Sequence, residues 1–179
     1  MALRLAVERG PGSVRIEDIA AAADVALRTF HNHFASKEEA IMLVAVERAE
    51  AVGAGLSRRP PRESLPDALV AAFVEQYGFD GALDESWLRQ VRLAMSAPAL
   101  RGEYLKAFEA GETSLATALA DRMGTGPGDL LPRTVAAAAF GAARAAIAYW
   151  LDHGPVTGLP ALFNDAIRSV VHPQPEGKP

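Results

Sequence analysis

Apolar residues recur along the chain at intervals of three and four, never in the strict alternation of a half-buried strand, so the pattern predicts an all-α protein. Leu3, Ala6 and Val7 form a first short stripe, stopped by Gly10-Pro11-Gly12. Ile16, Ile19, Ala20 and Ala23 form a second. Asp24-Val25-Ala26 then makes a turn, where an Asp tolerates the left-handed backbone that a Gly adopts more cheaply. A third helix is predicted over 27–33, with Phe30 and Phe34 pointing inward beside Ile16, Ile19 and Val25. Ser36, with Glu39 three residues on, forms a capping box that opens a fourth helix running to about Leu56.

Arg58-Arg59-Pro60-Pro61 is the clearest linker signal in the chain. Beyond it a helix is predicted over 65–77, with Pro66 in its first turn and Leu69, Phe73 and Tyr77 on one side, and Gly78 to Gly81 break it. Asp84 caps a helix presenting Trp87, Val91 and Met95, and Pro98 opens another that reaches Met123. An alanine-dominated helix follows over 132–153, then a last one over 159–171, and His172 to Pro179 reads as a disordered tail. Gly141, inside the alanine helix, costs about 1 kcal/mol relative to Ala, so close approach of another helix is expected there.

Half of the 179 residues are apolar, enough for a substantial core. The absence of cysteine excludes a disulfide framework and thiolate metal sites and fits a reducing compartment. No run reaches the roughly 18 uninterrupted apolar residues of a spanning helix. Met1 opens no basic region with an apolar core behind it, so a cytoplasmic protein with no membrane partner is expected. The formal net charge is −4; within residues 1–50, Arg4, Arg9, Arg15, Arg28, Lys37 and Arg48 face Glu8, Glu17, Asp18, Asp24, Glu38, Glu39, Glu47 and Glu50. Any binding to nucleic acid must therefore rest on where those cations lie, since phosphate contacts normally supply much of the affinity.

Residues 16–39 read as two short helices joined by a tight turn and followed by a capped third, the pattern of a helix-turn-helix that lays its second helix in the DNA major groove. The outward set on that helix is Leu27, Arg28, His31 and Asn32. An arginine grips guanine or a phosphate with two parallel bonds, an asparagine reads adenine, and a leucine packs on a thymine methyl. Thr29 and Lys37 suit phosphate anchoring, Lys37 at the positive end of the fourth helix, and Arg15 adds a cation at the start of the second.

Phe73, Tyr77, Trp87, Val91, Met95, Tyr104 and Phe108 concentrate in the middle helices. Each has ordinary core packing as its alternative, yet together they suit an apolar ligand pocket in which the hydroxyls of Tyr77 and Tyr104 give orientation. Ala139, Ala142, Ala146 and Trp150, with Leu162, Ile167 and Val170 of the last helix, are the candidate dimer interface, against packing within one chain. His31 and His33 stand two apart on different faces and make no metal pair, and no cofactor is expected. Glu109 and Glu112, near Lys106, have no His or metal partner and read as a solvated face. The chain has no Gly-x-Ser-x-Gly elbow and no Cys nucleophile, so an enzyme is not expected. Gly124 to Gly128 lacks the preceding strand and the following Lys-Ser or Lys-Thr of a phosphate loop and reads as a plain helix connection.

Ile19-Ala20, Ala23-Asp24-Val25-Ala26, Arg28-Thr29-Phe30 with Phe34, and Ser36-Lys37-Glu38 resemble the N-terminal pattern of the TetR family of bacterial transcriptional regulators. The resemblance implies about nine helices: a DNA-binding domain over 1–38, whose first helix begins part-way, then a ligand-binding and dimerisation domain over 39–172, and a tail over 173–179. It further implies a double-stranded operator, a small-molecule effector and a homodimer paired through its last two helices. Asp24 stands where the family usually has Gly, Ala26 where a Ser caps the recognition helix, and His31 where Tyr or Phe is common. SAPALRGEYL from Ser96, and Leu131 to Gly154, look like a branch whose C-terminal domain senses acyl-CoA-like ligands. The reading is a ligand-responsive repressor released from a palindromic operator. The alternative, favoured by the acidic balance, is a helical small-molecule-binding protein with weak or lost DNA binding.

Overall fold

The computed structural model describes residues 1–77, 85–154 and 158–171. Among these the chain forms α1 (Ala2–Arg9), α2 (Ile16–Ala22), α3 (Leu27–His33), α4 (Lys37–Ser57), α5 (Leu65–Tyr77), α6 (Glu85–Ser96), α7 (Pro98–Met123), α8 (Leu130–His153) and α9 (Leu159–Val171), with no strand. The break expected at Gly78 to Gly81, the Asp84 cap and the tail from His172 lie outside the described residues.

Local chemistry accounts for the ends of these helices. Gly10, at φ 81°, ends α1. Asp24, at φ 54°, is the one described non-glycine residue with positive φ. It turns the chain after α2 while the Val25 N–H closes onto the Ala20 carbonyl at 3.0 Å. Ser36 Oγ accepts the Glu39 N–H at 3.0 Å, and the Glu39 carboxylate accepts the Ala35 N–H at 2.7 Å, so the capping box at α4 forms with its return bond one residue earlier than the standard pattern. Gly124 (φ 67°) ends α7, with the Thr125 N–H on the Ala120 carbonyl at 3.0 Å.

The helices pack as two compact units, Met1–Glu47 with Ala82–Ala107, and Arg48–Gly81 with Phe108–Pro179. In this division α6, which packs on α1, and the start of α7 group with residues 1–47, and α4 contributes to both units. In the first unit α2 packs on α3 and α1 on α6, around Leu5, Val14, Ile19, Phe30, Ile41 and Met42. Val25, expected to point inward, is 41% exposed, and Val14 of the α1–α2 turn is buried instead.

The second unit is centred on aromatic rings. Phe73 of α5 meets Phe140 of α8 edge-on at 4.9 Å, and Tyr77 meets Phe163 of α9 at 5.9 Å. α5 and α9 run antiparallel, with an Asp67–Arg168 ion pair at one end. The close helix contacts occur elsewhere than expected. A Cβ on Gly111 of α7 would come within 2.5 Å of the Phe140 ring and 2.9 Å of Ala49 Cβ, whereas one on Gly141 would meet nothing within 4 Å. The α4–α5 connection is likewise no loose linker. Arg122 donates to the carbonyls of Pro60 at 2.8 Å and Glu63 at 2.7 Å, and Arg59 Nε donates to the Glu63 carboxylate at 2.7 Å. α8 is long and apolar enough to cross a membrane by length and composition alone, but its face from Ala136 to Trp150 is buried within the unit, largely against α9.

Candidate nucleic-acid interface

α3 presents Leu27, Arg28, Thr29, His31 and Asn32 to solvent, while Phe30 on its opposite side is 3% exposed. Phe30 stacks obliquely on Phe34 at 5.3 Å, and the His31 ring stands edge-on to Phe30 at 5.7 Å, so the ring that holds α3 to the core also braces one of the outward side chains. At the start of α3 the Ala26 carbonyl accepts from the Thr29 N–H at 2.9 Å and the Phe30 N–H at 3.1 Å, and Ala26 gives no side-chain cap. Arg15, exposed at the start of α2, has its backbone N–H held by the Asp18 carboxylate at 3.1 Å. The set expected to face DNA is thus gathered on one exposed helix with Arg15 nearby in sequence. Lys37 is placed differently. Its ammonium is turned inward, donating to the carbonyls of Pro11 at 3.0 Å and Val14 at 2.9 Å.

Residues 1–41 match the model of the bacterial regulatory proteins of the tetR family, and residues 63–175 match the MftR C-terminal domain model of the same family. The chain belongs to the TetR family. It is 36% identical over 146 residues to the HTH-type transcriptional regulator TcmR of Streptomyces glaucescens, a match covering 76% of this chain and 63% of TcmR. It is 28% identical over 162 residues to MftR of Mycobacterium tuberculosis, described as a mycofactocin biosynthesis transcriptional regulator, covering 90% of this chain and 82% of MftR. The fold matches a TetR-family regulator from Mesorhizobium loti with TM-score 0.58, 19% identity and coverage of 95% and 91% of the two chains. It also matches a transcriptional regulator from Aquifex aeolicus VF5 with TM-score 0.55, 15% identity and coverage of 94% and 92%. The families and relatives that the chain matches are transcriptional regulators rather than enzymes. TetR regulators bind DNA operators and small-molecule effectors and act as dimers.

The residues expected to line a TetR-type effector pocket do not share one environment. Phe73, Tyr77 and Phe108 are packed ring against ring with Phe140 and Phe163 inside the second unit. Val91 and Tyr104 are buried in the first unit, whereas Met95, one helical turn beyond Val91, is 47% exposed. Trp87 lies in α6, and its side chain is outside the described residues. A cleft of ≈ 420 Å³ does open in the second unit, lined by Glu109, Glu112, Thr113, Ala116, Thr117, Pro127 and Arg133. Burial first, and the Glu109 charge second, push the Glu112 carboxyl up from its ordinary value. Lys106, near these carboxylates in sequence, is paired with Glu103 at 2.7 Å.

The candidate interface residues are likewise spread over several environments within the protomer. Ala139, Ala142, Ala146, Trp150 and Ile167 are buried inside the protomer, Leu162 is half-buried, and only Val170 is exposed. The apolar residues that α8 does show to solvent are Leu130, Leu131, Ala137, Ala145, Ala148 and Tyr149. An alanine-rich helix has no polar stripe to tell one side from the other, so its pattern does not reveal which face is turned inward.

Proposed function

We propose that this TetR-family regulator is a cytoplasmic repressor that binds a palindromic operator as a homodimer and is released by a small apolar or amphipathic effector, of which an acyl-CoA-like molecule is one form. Two copies of α3 would enter successive major grooves about 34–36 Å apart. Arg28 and Asn32 would read base edges, Leu27 and His31 would pack beside them, and Thr29 and Arg15 would hold phosphate. The carrying observation is the exposure of Leu27, Arg28, Thr29, His31 and Asn32 on α3, which is anchored by the buried Phe30.

Two buried donors support an effector that carries oxygen acceptors. Gln90 Nε2 of α6 and Trp150 Nε1 of α8, one in each unit, have no hydrogen-bond partner. A buried donor left unpaired costs about 1–3 kcal/mol, which an incoming carbonyl, carboxylate or phosphate oxygen offsets. Effector binding to the helices after residue 39 would shift α4 and alter the spacing of the two recognition helices, which requires only that the effector bind the two states with different affinity. The dimer would form through the solvent-facing side of α8, with Val170 of α9.

The test is selection of DNA from a random pool with the purified protein, followed by titration of the selected site with Arg28→Ala and Asn32→Ala, each expected to weaken specific binding by about 1–3 kcal/mol. A helical carrier that has lost DNA binding is the second reading, favoured by the acidic excess in residues 1–50. Failure to enrich any sequence at low salt would establish that reading in place of the repressor.

A further inference from the structure

Lys37 is the first residue of α4, and a cation is unfavourable there because a helix N-terminus carries the positive end of the dipole. Glu38 and Glu39, next along, are the charges that this position prefers. The Lys37 ammonium is nevertheless settled. It reaches back 26 residues to the Pro11 carbonyl at 3.0 Å and 23 residues to the Val14 carbonyl at 2.9 Å, in a partly buried place. Two of its three donors are thus engaged with carbonyls of the α1–α2 turn, as charge-assisted bonds. The turn needs an outside partner, since it leaves α1 at Gly10 with positive φ and contains Pro11, which has no N–H to bond back into the helix end. Val14 itself is buried to 1% exposure, so the second carbonyl belongs to a residue already fixed in the core.

We infer that Lys37 is a positioning residue for DNA recognition rather than a phosphate anchor: it latches the α1–α2 turn to the N-terminus of α4 and so fixes the pose in which α3 is presented. The inference rests on the reading of α3 as the DNA-contacting helix. α3 is tethered on both sides to what the latch joins. Before it, the Asp24–Ala26 turn leads from α2, which starts at Ile16 just beyond Val14; after it, Phe34 to Ser36 lead directly into α4. Opening the latch loosens both tethers together, without removing any side chain from the face of α3.

The full chain is compared with Lys37→Met and Lys37→Gln by amide hydrogen exchange and by binding to the selected DNA across a salt series. In Lys37→Met, exchange over residues 13–16 is expected to speed up by about tenfold. Lys37→Gln, whose amide still reaches one carbonyl, is expected to fall between Met and wild type. Affinity falls in both, while the slope of log Kobs against log salt stays at the wild-type value. A phosphate anchor behaves in the opposite way: the slope drops by about one in both variants, and exchange at the turn is unchanged. Unchanged exchange in Lys37→Met overturns the latch. The exchange measurement needs no DNA, so failure of the DNA-binding reading, seen as a wild-type chain that binds nothing, is told apart from failure of the latch.

Discussion

A Cβ on Gly53 would stand 2.3 Å from Ser114 Oγ and 2.7 Å from the carbonyl carbon and oxygen of the same residue. α4 and α7 meet there closely enough for Ser114 Oγ to donate to the Glu50 carbonyl at 2.8 Å. Gly53→Ala gains about 1 kcal/mol of helix propensity but forces a backbone apart, and overpacking of that kind costs about 1–3 kcal/mol. A net loss of stability is expected, read as a lower urea midpoint. Ser114→Ala in the same background will not restore it, because two of the three clashing atoms are main-chain. A midpoint at or above wild type would show that the helices can separate there at little cost.

The α2–α3 turn carries two local costs that substitution should remove. Asp24 occupies a left-handed conformation that Gly takes more easily, so Asp24→Gly is expected to stabilise the chain, by up to about 1 kcal/mol. Ala26 leaves the start of α3 without a side-chain cap, and Ala26→Ser is expected to add about 1 kcal/mol. Thermal unfolding of each variant and of the pair checks both; a double variant no more stable than wild type would mean that the turn is not where stability is lost.

These two residues were visible in the sequence because the turn is a local matter: a polar residue before a short amphipathic helix, and an alanine where an oxygen belongs, carry their meaning within a few positions. The spans of α3, α5 and α9 were legible for the same reason. The inward side of α8 was not, since alanine on every face leaves a periodic pattern nothing to report. The role of Lys37 was hidden too, because its acceptors at Pro11 and Val14 are more than 20 residues away and are backbone atoms, which every residue has. The close approaches at Gly53 and Gly111 depend on partners some 60 and 30 residues distant, whereas Gly141, which stood out in its alanine run, faces open space.

Acid should loosen the α4–α5 connection first. The hydrogen bond from Arg59, aided by its charge and that of Arg122, holds the Glu63 carboxyl below its ordinary value, and Ser64 followed by Arg168 does the same for Asp67. Carboxyls lowered in the folded state stabilise it fully above their unfolded values, above about pH 4.3, and that contribution is lost as pH falls through the lower folded values. Glu112 has the opposite sign: its raised carboxyl opposes folding as pH climbs past the ordinary range, so Glu112→Gln is expected to stabilise at pH 7 and to be neutral near pH 4. Denaturant titrations at the two pH values check both halves. A Glu112→Gln benefit that is equal at both would remove ionisation as its cause.

The two sides of α8 should respond differently to charge. Ala142 is 8% exposed within the protomer, so Ala142→Arg is expected to unfold the second unit, seen as lost helical circular dichroism. Ala145 is exposed, so Ala145→Arg should leave the fold intact and convert the proposed dimer to monomer in sedimentation. A folded Ala145→Arg variant that still sediments as a dimer would move the interface elsewhere.

The Arg122 guanidinium, seated on the carbonyls between Arg59 and Glu63, also changes how the chain can be cut and recombined. A stretch of arginines and prolines between two helices invites a protease and looks like the natural seam for grafting one regulator's sensing half onto another's reading half. Here it is stapled to α7 from the far side of the polypeptide. A chimera joined at that stretch would inherit one half of a clamp, and a working junction has to keep Arg122 and the 59–63 carbonyls from the same parent.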